Sequence, residues 1–180
     1  MNRAVNEFHL TESGKILDKT RSLVLETFGV TGDVNDGMDI SLCSLKAPPY
    51  SKGQDIELQW SGANNPLWYM YNREFKEITA DKQSIGRTDN PKPFTTHTIN
   101  ITLPDGEGAD VLFYLFTDGY ADQFGGAKGK KFKYKQLQDL LLVNADKSME
   151  EQKKILEGKF SEWKGVQEQT DDVCIIGIKL

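Results

Sequence analysis

The chain has 180 residues, 38% of them hydrophobic, which is enough apolar material for one sizeable core and favours a single domain over 1–180. Its formal net charge of -5, from 22 Lys and Arg against 27 Asp and Glu, leaves no dominant basic face and excludes a duplex nucleic-acid binder that works by displacing phosphate counterions. No apolar run approaches the roughly 20 residues needed to cross a bilayer, and the N-terminal residues lack the apolar centre of a signal peptide, so the chain reads as cytoplasmic, with any membrane anchor placed elsewhere in a longer parent protein.

In chain order, Ser13 is the expected cap of a helix running to about Phe28, because Ile16, Leu17, Leu23, Val24 and Phe28 recur at helical spacing. Turn signals at Gly32-Asp33 and Asp36-Gly37 precede a strand in which Met38, Ile40 and Leu42 alternate with Asp39, Ser41 and Cys43. A second strand follows at Ile56, Leu58 and Trp60. The residues from Ser61 to Pro66 read as a turn, on the strength of Gly62, Asn64, Asn65 and Pro66. Pro66 to Tyr71 and Phe75 to Thr79 flank a hairpin turn at Asn72-Arg73, and His97, Ile99, Ile101 and Leu103 alternate as another strand.

Val111 to Phe116 is apolar at every position, as is most of Val173 to Ile178, and both are expected to be strands covered on two faces. Between them lie a helix near Tyr134 to Val143 and a second helix opened by the capping box Ser148-Met149-Glu150-Glu151 and carried on through Ile155, Leu156, Phe160 and Trp163. Strands, then helices, then a closing strand imply an α+β fold with antiparallel or mixed sheets. Cys43 and Cys174, far apart and in apolar runs, read as buried reduced thiols. Trp60, Trp68 and Trp163 read as core or half-buried aromatics. The run Lys128, Lys130, Lys131, Lys133 and Lys135 reads as a solvated loop and helix start with Phe132 and Tyr134 anchored in the core; the sharper alternative is steering of an acidic phosphoprotein.

With only His9 and His97 in the chain, a histidine-based triad or a zinc site has little support. The carboxylates are better placed. Asp118 directly follows one apolar strand and Asp171 directly precedes the other. If those strands pair antiparallel, the two residues meet at one sheet edge, where a hard cation such as Mg²⁺ or Mn²⁺ would relieve their repulsion. Taken singly, from composition and spacing, each is better read as a plain turn or a solvated strand entry.

Five segments in order change that weighting: Asp36-Gly37-Met38-Asp39-Ile40, Ser61-Gly62-Ala63-Asn64-Asn65-Pro66-Leu67, Ser84-Ile85-Gly86, the run from Phe116 through Thr117-Asp118-Gly119 to Gly126, and Gln169-Thr170-Asp171-Asp172-Val173. Together they resemble the SpoIIE/RsbU-type serine phosphatases of the metal-dependent PPM superfamily, related to type 2C phosphatases. The resemblance implies a PPM-type β-sandwich flanked by helices and lacking its N-terminal strands. It also implies Asp118 and Asp171 as metal ligands, with Asp172 adjacent, and two Mn²⁺ or Mg²⁺ ions whose bridging water attacks phosphorus in line, without a protein nucleophile.

By the same analogy the substrate is a phosphoserine or phosphothreonine on a STAS-like anti-anti-sigma regulator, and a sensor domain lies upstream in the parent protein. The family's earlier Asp-x-x-Gly-His-Gly motif, which supplies a carboxylate bridging both metals, has no counterpart here: His9 follows Phe8, and His97 sits between two threonines. Asn2 to Val5 look like the tail of the helix that follows that motif, so the chain reads as the later part of a catalytic domain, weakly active or inactive alone. The missing strands would leave an edge that a homodimer could cover. The alternative function is a noncatalytic pseudo-phosphatase that serves as a signalling or interaction module.

Overall fold

A computed structural model describes all residues except 29–36, 46–50, 52, 72–73 and 104–110. The turn signals at Gly32-Asp33 and at Asp36, and the hairpin turn at Asn72-Arg73, lie outside the described residues. In chain order the elements are α1 (Asn2–Asn6), α2 (Ser13–Phe28), β1 (Ile40–Leu45), β2 (Asp55–Ala63), β3 (Leu67–Tyr71), β4 (Glu74–Ile78), β5 (His97–Thr102), β6 (Leu112–Phe116), α3 (Gly119–Asp122), β7 (Phe124–Gly125), β8 (Lys130–Lys131), α4 (Tyr134–Val143), α5 (Met149–Lys164) and β9 (Ile175–Lys179). The α+β class is as expected. Every strand pair whose register is described inside the sheets is antiparallel. Among the described residues, no helix is long and apolar enough to cross a membrane. The residues group into two compact units, Met1–Leu67 with Glu77–Asp105, and Trp68–Lys76 with Gly106–Leu180.

In the first unit, β1, β2 and β5 form a three-stranded sheet in that order. Alternation along β2 buries Ile56, Leu58 and Trp60, as a strand with one apolar face requires. Helix α2 packs Leu17 with Ala63, Ile85 and Phe94 into a small core. Ser13 does not cap α2 with its hydroxyl. The Ile16 amide bonds the Glu12 carbonyl at 3.0 Å, while the buried Ser13 hydroxyl lies 2.7 Å from that of Ser61, which itself donates to the Thr95 carbonyl. Ser13 is therefore the donor to Ser61, and its polar group ties the helix to the sheet. The expected turn at Ser61 to Pro66 begins later, because Ser61, Gly62 and Ala63 finish β2 and the reversal falls at Asn64, which adopts φ 61°.

The second unit holds most of a four-stranded sheet in the order β4-β3-β6-β9, with the small hairpin β7-β8 beside it. Every residue of β6 is buried, as its unbroken apolar run predicts. One cluster joins Trp68 and Met70 of β3, Leu112, Tyr114 and Phe116 of β6, Tyr120, Phe132, and Leu137 and Leu141 of α4, with Leu156, Phe160 and Trp163 of α5 packed against it. Its aromatic rings meet edge-on, Tyr120 on Phe132 at 5.1 Å and Phe132 on Trp163 at 5.3 Å, a favoured geometry for ring quadrupoles. Burial of each such side chain contributes about 1.5–3 kcal/mol. The capping box at Ser148 and Glu151 is formed as expected.

Three expectations are corrected here. The run Val173 to Ile178 is not covered on both faces: β9 ends the strand order, Val173 and Ile175 are half-buried against the aromatic cluster, and Ile176 on the other face is 54% exposed. Cys174 is exposed, since it precedes β9 at the sheet end, and Cys43 is only half-buried; both are free thiols. Of the two aromatics in the lysine run, Phe132 is buried but Tyr134 is exposed, with its ring centroid about 6 Å from those of Trp68 and Phe116.

Burial pushes the Cys43 thiol up to about 11 and the Tyr114 phenol up to about 12. Both groups are harder to ionise folded than unfolded, so their contribution is complete below pH 9 and is lost across the window from about pH 9 up to 12, first for Cys43 as pH rises to about 11 and then for Tyr114 as it rises to about 12. Chemical denaturation at stepped pH should show stability declining over that window and flat just below it, with Cys43→Ala removing the earlier part of the decline. With a disulfide-exchange reagent at pH 8, Cys174 should react promptly and Cys43 much more slowly.

Candidate metal centre

The condition on which Asp118 and Asp171 could meet is satisfied. Strands β6 and β9 pair antiparallel, with Leu112 opposite Lys179 and Phe116 opposite Ile175. The C-terminal end of β6 therefore lies beside the N-terminal end of β9, and the pairing continues one step beyond the strands. The Thr117 amide donates to the Cys174 carbonyl at 3.0 Å. The Thr117 hydroxyl accepts from the Cys174 amide at 2.9 Å and donates to the Asp172 carbonyl at 2.8 Å. Placed at the last rung, the β-branched Thr117 thus serves both as strand residue and as lock for the incoming segment.

At Asp118 the chain leaves the sheet and turns into α3, where the Asp122 amide bonds the Asp118 carbonyl at 2.9 Å; the Asp118 side chain does not cap the helix. Gly119 explains why this turn can sit so close to the other strand. A Cβ at Gly119 would collide with the Asp172 carbonyl and lie 3.2 Å from the Asp171 carbonyl carbon. Only a residue without a side chain allows that backbone approach. The half-buried Asp118 and the exposed Asp171 are consequently brought to the same end of one sheet, with the residue after Asp118 packed on the Asp171-Asp172 peptide.

Asp171 is itself held in a tight local turn. Its Oδ1 accepts from the Asp172 amide at 2.6 Å, and its carbonyl accepts from Gln169 Nε2 at 2.9 Å. Asp172 contributes its carbonyl to Thr117, a structural bond.

The donor set is two hard carboxylates. That chemistry suits Mg²⁺ or Mn²⁺, which are commonly held by one or two carboxylates with water and substrate oxygens completing the shell. Among the described residues, no group of three or more His, Cys, Asp or Glu comes together to hold a metal ion. The pair fits as part of a centre, and a two-ion centre needs further donors.

Sequence reasoning passed over Gln123, whose side chain is fully buried between the α3 turn and the segment before Asp171. A glutamine between Asp122 and Phe124 carries no local signal of its burial. Of the lysine run, Lys131 is paired with Asp122 at 2.8 Å and Lys135 with Asp139 at 2.8 Å, while Lys128 and Lys130 are exposed on the hairpin.

No protein-family model matches the sequence, and no curated protein matches it. Among solved structures, the SiaA-PP2C domain of Pseudomonas aeruginosa is similar over 99% of this chain, with a TM-score of 0.76 and 23% sequence identity. This chain spans 65% of that domain's length. Over nearly all of its residues, the chain therefore has the fold of a PP2C phosphatase domain.

Proposed function

We propose that this chain is part of a metal-dependent protein phosphatase domain in which Asp118 and Asp171 bind Mn²⁺ or Mg²⁺. The observation that carries the proposal is the Gly119 contact, which seats the two aspartates at one sheet end. The PP2C fold supports it by analogy, and fold analogy alone would not suffice. When bound, such ions lower the pKa of a coordinated water and stabilise charge on a phosphoryl group. The chain's own residues hold the carboxylates for that purpose: Thr117 fixes the strand ends, Gly119 permits the close approach, and the Asp171-Asp172 turn fixes one carboxylate oxygen.

The substrate class that accords with the sequence resemblance is a phosphoserine or phosphothreonine on a STAS-like regulator protein in the cytoplasm, with an upstream sensor domain in the parent protein. The exposed Lys128 and Lys130 would attract an acidic partner. The remaining metal donors are proposed to come from that part of the domain which this chain does not span.

Calorimetric titration with Mn²⁺ tests the site. Weak saturable binding is expected for this chain, reduced more than about tenfold by Asp118→Asn or Asp171→Asn, and much tighter binding is expected for a longer form covering the whole domain. Para-nitrophenyl phosphate hydrolysis should be confined to the longer form and lost there on Asp118→Ala. Binding indifferent to both substitutions contradicts the ligand assignment. A longer form that binds no metal would favour a noncatalytic signalling module instead.

A further inference from the structure

The buried Gln123 side chain makes three hydrogen bonds close to the two aspartates, and its place in the fold gives them a purpose. Its Nε2 donates to the Phe124 carbonyl at 3.0 Å and to the Glu168 carbonyl at 2.9 Å, while its Oε1 accepts from the Thr170 amide at 3.1 Å. An amide side chain offers two donors and one carbonyl acceptor, and all are matched here. The partners also fix which end is nitrogen, since two are carbonyls and one is an N–H. The Gln123 carbonyl is engaged as well, accepting from Trp163 Nε1 at 3.0 Å and from the Phe132 amide at 3.0 Å.

Residues Glu168 to Asp172 are otherwise exposed. A loop so open to water is held mainly by what bonds its backbone, and Gln123 bonds it at two points immediately before Asp171. The other end of the same loop is held by Thr117. Gln123 lies five residues after Asp118, directly after α3, and its own backbone is secured by α5 and by the approach to α4. It joins the helical layer to the segment that carries Asp171.

We infer that Gln123 is a positioning residue that sets the place of Asp171 relative to Asp118 and so tunes divalent-metal affinity. This inference rests on the proposed reading of Asp171 as a ligand. Groups that orient metal ligands from behind, when removed, typically cost about 10- to 100-fold in affinity. A methionine at this position keeps the side-chain length and removes all three side-chain hydrogen bonds, which leaves the Glu168 and Phe124 carbonyls and the Thr170 amide without their partner.

The test compares the wild-type chain, Gln123→Met and Tyr120→Phe by backbone amide exchange and Mn²⁺ calorimetry. Tyr120→Phe serves as the control, since it removes a core hydrogen bond to the Leu156 carbonyl without touching the loop. The expected result for Gln123→Met is exchange at Thr170 and Asp172 faster by about tenfold or more, with Phe113 and Leu115 in β6 unchanged, and Mn²⁺ affinity lower by about tenfold or more. Tyr120→Phe should leave both readouts within about twofold of wild type. Unchanged exchange at Thr170 and Asp172, or an equal rise throughout the sheet, overturns the clamp. A loosened loop with unaltered Mn²⁺ affinity overturns the positioning role. Absence of Mn²⁺ binding by the wild-type chain defeats the ligand reading and the role built on it, while the exchange data separately report whether the clamp exists.

Discussion

The antiparallel pairing of β6 with β9 is the constraint on which the rest of the site depends. Strand β6 is buried at every position, and its aromatic residues anchor the cluster that also holds α4 and α5. Because an antiparallel rung sets the facing residue in each strand, the end of β6 and the beginning of β9 must coincide. A slip by one residue would reverse the faces of β9 and move Ile175 away from the aromatic cluster. Hydrophobic burial thus determines where two aspartates stand, though neither takes part in the core.

Polar groups complete what the ladder begins. Thr117 and Gln123 sit on either side of the Asp118 turn, and each reaches across to the segment before β9, one through a hydroxyl and the other through an amide. Gly119 leaves room for the two backbones to touch. The sequence from Thr117 to Gln123 therefore works as a short clasp, in which a β-branched residue, a glycine and a buried amide each do what their neighbours could not.

The helices and most strands were legible because their apolar periodicities were strong. Helices α4 and α5 start and end where spacing and the Ser148 capping box indicate, and the unbroken apolar run of β6 was rightly read as a buried strand. The short α3 and the two-residue strands β7 and β8 were not anticipated, since elements of that length carry no period to detect. The burial of β9 was overestimated from composition: its apolar residues resemble those of β6, but a strand's position in the sheet order, which decides its cover, is not a local property. Cys174 was misjudged for the same reason. At the candidate site, the places of Asp118 and Asp171 beside two apolar runs favour a plain turn or strand entry when taken alone, and only the resemblance singles them out as proposed ligands, whereas Gln123 becomes visible only once its three partners are brought round it by the fold.

The PP2C fold and the clasp have different standing as arguments for function. The fold says what kind of chemistry such a scaffold hosts elsewhere, and the clasp says what these particular residues can do. The ligand role of the two carboxylates is our proposal, and the direct test is to see where a metal goes. Crystals of the chain equilibrated with Mn²⁺ and measured at the manganese absorption edge should show an anomalous peak within coordinating distance of both Asp118 and Asp171. A peak elsewhere, or none at a concentration that saturates binding in solution, would contradict the account.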